Sequence, residues 1–255
     1  MNKKLYTSIG LMSGTSMDGI DISIIQSDGQ YEFYNILDDY FEYDVYLQEE
    51  LIRLRDIILN QNDLLKNSKE LGSLERKITV FHAEKINQIL SKYKYQIDLI
   101  GFHGQTIFHD PQKKITKQLG DGKLLSQLLK KKVDYDFRQN DIKNNGQGAP
   151  LTPIFHYLIS NIINEKFKIG FPLGFINIGG ITNLTKIQTI ASNFEENITA
   201  FDIGPGNCLI DEWIRKNSKK KYDKGGLIAR SGTTDKLVLN QALENFTENS
   251  NYEKS

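Results

Sequence analysis

The stretch "IGLMSGTSMDGID" at residues 9–21 joins two apolar runs through a short series of small and hydroxylated residues. Residues 7–12 and 19–26 on either side have the composition of β-strands, so the stretch predicts a strand–loop–strand unit. A plain hairpin needs only a turn signal such as Asn-Gly or Asp-Gly. The additional glycine and hydroxyl groups of residues 13–16 indicate a loop whose backbone is approached closely by a ligand.

A second unit of the same kind lies at residues 176–187, where the sequence reads "INIGGITNLTKI". It also places glycines at the tip of a predicted hairpin, and "DIGPGN" at residues 202–207 adds a Gly-Pro-Gly turn before a helix. Backbone N–H groups in a glycine-rich turn form a concave site for an anion. Each unit alone is compatible with a tight turn and nothing more. Together, facing each other as a clamp, they favour phosphate binding.

The composition indicates a globular protein without a bulk affinity for nucleic acid. The 255 residues carry 32 basic and 32 acidic side chains, so the formal net charge is zero, whereas nucleic-acid-binding proteins usually have a basic excess. The sequence has neither a secretory signal pattern nor a run of about 18 apolar residues, so no membrane partner is predicted. The single cysteine, Cys208, excludes an intramolecular disulfide. A reducing, cytoplasmic location is therefore predicted.

The spacing of apolar residues predicts alternating strands and helices, and hence an α/β fold. Besides the opening unit, strands are predicted at residues 31–44, 97–104, 133–137, 174–180, 183–187 and 198–207. Helices are predicted around residues 47–58, 71–89, 124–129, 150–167 and 208–216. The length allows one large domain or two smaller ones.

Two histidines occur in "GFHGQTIFHDP" at residues 101–111. A metal site would need a third ligand, which no His-Glu-x-x-His or cysteine motif supplies. The preceding apolar run predicts a buried strand that ends by delivering His103 to a loop. His103 and Gln105 are therefore interpreted as hydrogen-bonding loop residues, which can also line a polar substrate such as a sugar.

Charged residues follow the predicted strand 133–137 in "DYDFRQNDIKNNGQGAP". Alternation along an extended segment places Asp136 and Arg138 on one face. The pair is either a structural salt bridge or a general base kept ionised by a neighbouring cation. The polar segment 144–150 is either a connector or a loop that closes over a ligand.

Two further motifs bear on the function: one argues against a hydrolase, and the other leaves two roles open. "GTSM" resembles the sequence around the nucleophile of subtilisin-type proteases, in which the order is Asp, His, Ser. Here Ser16 precedes all four histidines, which argues against a serine hydrolase. Asp202, at the end of a predicted strand, either orients Mg²⁺ through water or caps a turn.

Taken together, these motifs resemble the anhydro-N-acetylmuramic acid kinase family. The matching segments are spread in order over residues 9–213, with "YDK" at 222–224 as a further match: "IGLMSGTSMDGID", "FHGQT", "DFRQNDIKNNGQGAP", "INIGGITNL" and "DIGPGNCLIDEW". The resemblance implies a ribonuclease-H-like, two-domain kinase fold of the actin and hexokinase type. It places a first α/β domain at residues 1–170 and the start of a second at 171–255.

The resemblance also implies a reaction. Water opens the 1,6-anhydro bridge of anhydro-N-acetylmuramic acid while the freed oxygen takes the γ-phosphoryl group of ATP, in cell-wall recycling. Asp136 would activate the water, Arg138 would be its positioning partner, and ATP and Mg²⁺ would be the cofactors. The implied substrate-binding residues are His103, Gln105 and Gln147. The implied phosphate-binding residues are Gly14, Thr15, Ser16, Met17, Asp18, Gly19, Ile20, Asp21, Gly179, Gly180, Asn183, Gly204 and Gly206.

One departure from the family pattern modifies this expectation. Chains of the family are longer, and no glycine-rich adenosine-binding segment follows residue 233. An incomplete second domain is therefore expected, with apolar faces of strands 174–203 left uncovered. The alternative function is an inactive remnant or half-enzyme that binds the sugar without turnover, and a homodimer or a completing partner chain is conceivable. A kinase of the same fold that acts on another sugar is a third hypothesis, which "FHGQT" and "DFRQND" argue against.

Overall fold

The structure of the protein, a computed structural model, describes residues 4–190 and 195–249. The chain divides into two compact units. Unit 1 comprises Met1–Phe175 and Leu184–Phe201, and unit 2 comprises Ile176–Asn183 and Asp202–Ser255. The mixture of helices and strands confirms the predicted α/β class. The domain boundary at residue 170 stays a prediction.

Unit 1 is built on a six-stranded mixed sheet with the strand order β3-β2-β1-β4-β5, in which β6 also pairs with β4. The strands are β1 (Tyr6–Ser13), β2 (Gly19–Ser27), β3 (Phe33–Glu42), β4 (Leu99–Asp110), β5 (Ile115–Leu119) and β6 (Val133–Tyr135). Strands β1, β2 and β3 form an antiparallel meander, β4 runs parallel to β1 and β6, and β5 is antiparallel to β4. The predicted strand–loop–strand unit at residues 7–26 is therefore confirmed as the β1–β2 hairpin.

The helices of unit 1 are α1 (Val45–Ile57), α2 (Gln61–Lys66), α3 (Ser68–Lys92), α4 (Gly122–Leu129), α5 (Phe137–Lys143) and α6 (Thr152–Phe167). Helices α1, α3 and α4 pack on this sheet because each presents an apolar stripe. Helix α1 begins where the Asp44 carboxylate accepts the backbone N–H of Leu47. Its leucines and those of α3 pack on the isoleucines of β1 and β2 in one core. That core supports the end of the sheet where the β1–β2 loop lies.

A second, three-stranded sheet has the order β7-β8-β9, and the division between the units passes through its strands. The strands are β7 (Leu173–Ile178), β8 (Ile181–Ile187) and β9 (Ile198–Pro205). The helices of unit 2 are α7 (Cys208–Asn217), α8 (Leu227–Ser231) and α9 (Lys236–Asn249). Apolar side chains of β7 and α7 are exposed, among them Ile178, Leu209 and Trp213.

Two sequence predictions about the site segments are wrong. His103 and Gln105 lie inside β4 and not in a loop, because residues 105–110 continue the strand by pairing with β5, which was not predicted. Arg138 does not share an extended face with Asp136. The backbone of Asp136 is left-handed, with φ of 59°, and helix α5 begins at the next residue. In the part of the chain that the structure describes, no helix has both the length and the apolar composition needed to span a membrane.

Candidate functional site

The β1–β2 loop, residues 14–18, is a tight turn with a buried anchor. The backbone N–H of Met17 donates to Gly14 O at 3.2 Å, and Met17 has a positive φ of 56°. Its side chain is only 1% exposed and belongs to the core, whereas Thr15 and Ser16 are exposed. The anchor therefore holds the backbone and hydroxyl groups of Thr15 and Ser16 at the surface, where a ligand can reach them.

Both ends of the loop are tied to neighbouring elements. At its start, Gln105 Nε2 donates to Gly14 O at 2.8 Å. At its end, the backbone N–H of Tyr43 donates to Asp18 O at 2.9 Å. The Tyr43 hydroxyl also lies 3.2 Å from Ser13 Oγ, so one residue contacts both sides of the loop. The loop conformation is thus set before any ligand binds.

A buried histidine continues this network into α3. His82 Nδ1 lies 2.8 Å from Ile78 O and therefore donates to it, which leaves Nε2 as an acceptor for the Ser13 hydroxyl at 3.4 Å. Burial lowers the pKa of His82 to about 4, so the ring is neutral. Burial also raises the pKa of Tyr43 to about 12, so its hydroxyl keeps the proton that it donates to Ser13. The sequence placed Ser13 in the loop, whereas it is the last residue of β1. No role was predicted from the sequence for Tyr43 or His82.

The remaining residues of the first predicted phosphate loop lie in β2. Gly19 is required by a close approach, because a Cβ there would collide with the backbone carbonyl oxygen of Phe41 on β3. Ile20 is fully buried in the core. The pKa of Asp21 is raised by burial and by the charges of Asp18 and Asp38. Only Gly14 to Asp18 therefore form the loop itself.

The acidic residues near this loop do not make a closed metal site. Among residues 4–190 and 195–249, no group of three or more His, Cys, Asp or Glu side chains could hold a metal ion. Mg²⁺ in nucleotide sites is usually held by one or two carboxylates together with phosphate oxygens. Asp18, whose Oδ1 accepts a 2.6 Å hydrogen bond from Ser16, and Asp21 are carboxylates of that kind.

His103 and Arg138 form a pair in unit 1. Arg138 Nε donates to His103 Nε2 at 3.0 Å, and His103 Nδ1 lies 2.7 Å from Gly104 O. Burial first, and then the charge of Arg138, lower the pKa of His103 to about 4. The imidazole is therefore neutral and carries its proton on Nδ1.

A bulge in β4 directs these side chains. Leu11 of β1 is paired with Phe102, but Ser13 is paired with Gln105, so β4 contains one extra residue at this point. Gly104 adopts a φ of 73°, and a Cβ there would lie 2.5 Å from Leu119 O. Because the alternation shifts at the bulge, Gln105 lies on the same face as Phe102 and is fully buried. His103, on the opposite face, is half-buried beside Arg138. Gln105 Oε1 is buried and forms no hydrogen bond to any described residue.

Asp136 lies at a polar cleft of about 620 Å³ at the start of α5. The cleft is lined by Thr116, Lys117, Gln118, Tyr135, Asp136, Gln139, Asn140 and Lys143. Arg138 is not among the lining residues. No ion pair joins Asp136 to Arg138 within the described parts of the chain. The salt bridge considered from the sequence is therefore absent, and Arg138 is paired with His103 instead.

The segment 144–150 is held to α5 by Asp141. Its carboxylate accepts the backbone N–H of Gly148 at 2.7 Å, and its carbonyl accepts that of Gly146 at 2.8 Å. Gln147, between them, is exposed. The side chain of His109 hydrogen-bonds the backbone of Gln147, so this segment also contacts β4.

In unit 2, the predicted second phosphate-binding segment consists of two packed turns. The backbone N–H groups of Gly206 and Asn207 donate to Gly180 O at 2.9 Å and Gly179 O at 2.7 Å, and Cys208 N–H also donates to Gly180 O. A Cβ on Gly206 would collide with Gly179 O, so only glycine fits there. The other predicted residues lie on adjoining strands: Asn183 in β8, Gly204 in β9 and the exposed Asp202 in β9.

Comparison with known proteins assigns the chain to a family. The family model for anhydro-N-acetylmuramic acid kinase matches residues 6–251. The chain belongs to the anhydro-N-acetylmuramic acid kinase family. The resemblance predicted from the five motifs is thereby confirmed, and membership is consistent with a kinase fold of the actin and hexokinase type.

Individual members of the anhydro-N-acetylmuramic acid kinase family are similar over nearly the whole chain. The kinase of Pelagibacter ubique is 52% identical over 252 residues, which are 99% of this chain and 65% of the relative. That of Agrobacterium fabrum is 40% identical over 259 residues, covering 99% and 66%. That of Brucella suis (strain ATCC 23445) is 36% identical over 258 residues, covering 98% and 66%. The chain thus spans about two thirds of the length of these relatives.

Proposed function

We propose that the protein acts as an ATP-dependent kinase on anhydro-N-acetylmuramic acid, the activity for which its relatives are named. The reaction would hydrolyse the 1,6-anhydro ring and yield N-acetylmuramic acid 6-phosphate, in the cytoplasm, during cell-wall recycling. The observation that carries this proposal beyond family membership is the Asp136 carboxylate at a polar cleft.

Asp136 is the proposed general base. A water molecule that attacks the anomeric carbon must lose a proton, and a carboxylate within hydrogen-bond reach can accept it. The exposed Asp136 side chain faces a cleft whose amide groups, from Gln118, Gln139 and Asn140, suit the hydroxyl groups of a sugar. The left-handed backbone at Asp136 supports this role, because strained backbone is concentrated at functional sites.

The loop of residues 14–18 is the proposed first phosphate-binding segment. Phosphoryl transfer depends on positioning and on neutralising charge, and a loop set in advance by Met17, Tyr43 and Gln105 avoids an ordering cost on binding. When bound, Mg²⁺ would neutralise charge on the phosphates of ATP, and Asp18 and Asp21 are the carboxylates available to hold it. Gly19, Ile20 and Asp21 would contribute backbone from β2.

The turns of unit 2 are the proposed second phosphate-binding segment. Because the N–H groups of Gly206, Asn207 and Cys208 already donate to carbonyls, we assign them to shaping the turn. Direct contacts would then come from the backbone of Gly179 and Gly180. Asn183 on β8 and Gly204 on β9 are proposed as further phosphate-binding residues. Asp202 is proposed to act on Mg²⁺ through a water molecule.

Two of the predicted substrate-binding residues remain in the proposal. Gln105 is supported by its buried and unpaired Oε1, since such an acceptor gains from a hydroxyl donor. Gln147 is supported by its exposure on a segment that Asp141 holds beside α5. We also propose that residues 1–170 form the first α/β domain and that residues 171–255 begin the second.

The test is product formation by the purified 255-residue chain. The chain is incubated with anhydro-N-acetylmuramic acid and Mg·ATP, and the 6-phosphate is measured by mass spectrometry. Asp136→Asn is expected to lose roughly 10²-fold or more of the rate. Asp134→Asn, the same change at an exposed residue of β6, is the matched control and is expected to retain it.

The outcomes separate the alternatives. Product formation at similar rates by the wild type and Asp136→Asn would contradict the role of Asp136 as base. A folded wild-type chain that forms no product would favour the remnant that binds sugar without turnover. Faster phosphorylation of another sugar in a parallel panel would favour a kinase of different specificity.

A further inference from the structure

We propose that His103 is a positioning residue that holds the guanidinium of Arg138 and makes no contact with the sugar. This inference refines the proposed function, since it assumes that Arg138 serves the same site. It replaces the substrate-binding role predicted for His103 from the sequence.

The first argument is that both ring nitrogens of His103 are already used. The guanidinium Nε–H of Arg138 is always a donor, so His103 Nε2, at 3.0 Å, must be the acceptor. The proton of the neutral ring then lies on Nδ1, which donates to Gly104 O at 2.7 Å. A sugar hydroxyl could bind either nitrogen only by displacing one of these bonds.

The second argument concerns the N–H groups of the Arg138 guanidinium that do not contact His103. One of its five N–H bonds is directed to His103. The four N–H bonds on the two terminal nitrogens form no hydrogen bond within the described residues. His103 therefore fixes the stem of the guanidinium at Nε, and the terminal nitrogens remain for an anionic or polar ligand.

The third argument is that the backbone is shaped for this pairing. His103 lies on the face opposite Phe102 by ordinary strand alternation, and the bulge that follows places Gln105 on the same face as Phe102. Gly104, with its φ of 73° beside Leu119 O, places its carbonyl against His103 Nδ1. An acceptor at this position selects the ring form that can receive Arg138 Nε–H, because a donor on Nδ1 leaves Nε2 unprotonated.

The pairing is tested first without any assay of activity. In the ¹⁵N-labelled full chain at pH 7, the ¹⁵N spectrum of the imidazole is expected to show His103 neutral with its proton on Nδ1. The Arg138 Nε–H signal should be protected from exchange in the wild type. A cationic ring, or a proton on Nε2, would overturn the proposal even if the kinase activity is confirmed.

Two substitutions then separate positioning from substrate contact. His103→Gln keeps an acceptor that can reach Arg138 Nε, and it is expected to retain the protected Nε–H signal and kcat/KM within about threefold. His103→Asn is too short to reach, and it is expected to lose the signal and to reduce kcat by roughly 10- to 100-fold with little change in KM for the sugar. A rise in KM for the sugar in both variants, with the Arg138 signal intact, would overturn the proposal.

A double-mutant cycle with Arg138→Lys completes the test. If His103 acts through Arg138, adding His103→Asn to Arg138→Lys should cause little further loss of kcat. Independent, additive losses would overturn the proposal. If no variant or wild-type chain is active, the proposed function fails while the spectroscopic result on the pair still decides the inference.

Discussion

Ser13 Oγ and His82 Nε2 lie 3.4 Å apart in the core directly behind the β1–β2 loop. The two residues are 69 positions apart in the chain, one at the end of β1 and the other in the middle of α3. The Tyr43 hydroxyl also lies 3.2 Å from Ser13 Oγ. The pair links the loop proposed to bind phosphate to the longest helix of unit 1, so the loop and the core are expected to lose stability together.

Replacing Ser13 by alanine tests this link. The change leaves the buried Nε2 of His82 without a donor, and an unsatisfied buried polar atom costs about 1–3 kcal/mol of unfolding free energy. Urea unfolding followed by circular dichroism measures the loss. Ser91→Ala, at an exposed serine of the same helix, is the control and should change the free energy by less than about 0.5 kcal/mol. Equal effects of the two substitutions would show that the Ser13–His82 contact does not stabilise the fold.

The stability of the protein should decrease as the pH falls from 7 to 5.5. The pKa values of His82 and His103 are lowered to about 4 in the folded state from an ordinary value of 6.5. The unfolded chain therefore binds more protons in this range, and acid favours unfolding. Each of the two histidines should contribute roughly 1 kcal/mol across the interval.

Urea midpoints at several pH values measure this dependence. His109 and His156, whose pKa values are also lowered by burial, act in the same direction. His103→Gln removes the contribution of residue 103 and should flatten the curve, with the wild type as its reference. Stability that is constant or rises between pH 7 and 5.5 would contradict a neutral, buried state of both rings.

The bulge in β4 should depend on glycine at residue 104. An alanine there must adopt a positive φ and would meet Leu119 O, so we expect a loss of more than about 1 kcal/mol. Gly10→Ala in β1 is the matched control, since a Cβ at Gly10 meets nothing within 4 Å. Thermal unfolding of both variants compares them. A Gly104 variant as stable as the Gly10 variant would show that the strand tolerates a side chain at the bulge.

The hydrophobic core that α1 shares with α3, β1 and β2 should lose stability when the Leu54 side chain is shortened. Leu54 is 0% exposed, and Leu→Ala changes in such positions cost about 2–5 kcal/mol. Leu59, which is 73% exposed just after the same helix, provides the control and should cost little. Urea unfolding distinguishes them, and similar costs at both positions would argue against the packing of α1 on the sheet.

Local patterns in the sequence were sufficient for much of unit 1. The spacing of Leu47, Leu51 and Leu54 predicts α1, and these leucines are buried. The run of small residues at 13–16 predicts a loop between two strands, which the β1–β2 hairpin confirms. These predictions succeed because helical and strand periodicity express one buried face of each element.

The predictions that failed concern long-range pairing and single backbone angles. The extension of β4 to Asp110 depends on pairing with β5, whose short and polar sequence carries a weak strand signal. The direction of Arg138 depends on one left-handed residue, Asp136, which converts an expected strand into the start of a helix. Alternation along the chain cannot anticipate either feature, because both arise from contacts with other elements.

The sequence by itself determined the family, the α/β class, the two glycine-rich turns and the carboxylate at residue 136, because these depend on residue types in short, ordered motifs. Only the tertiary structure decided which side chains meet. It paired His103 with Arg138, Ser13 with His82, and Gln105 with the carbonyl of Gly14. Such contacts join residues 35 to 91 positions apart, and they form only when the sheet order and the bulge in β4 bring separate elements into register.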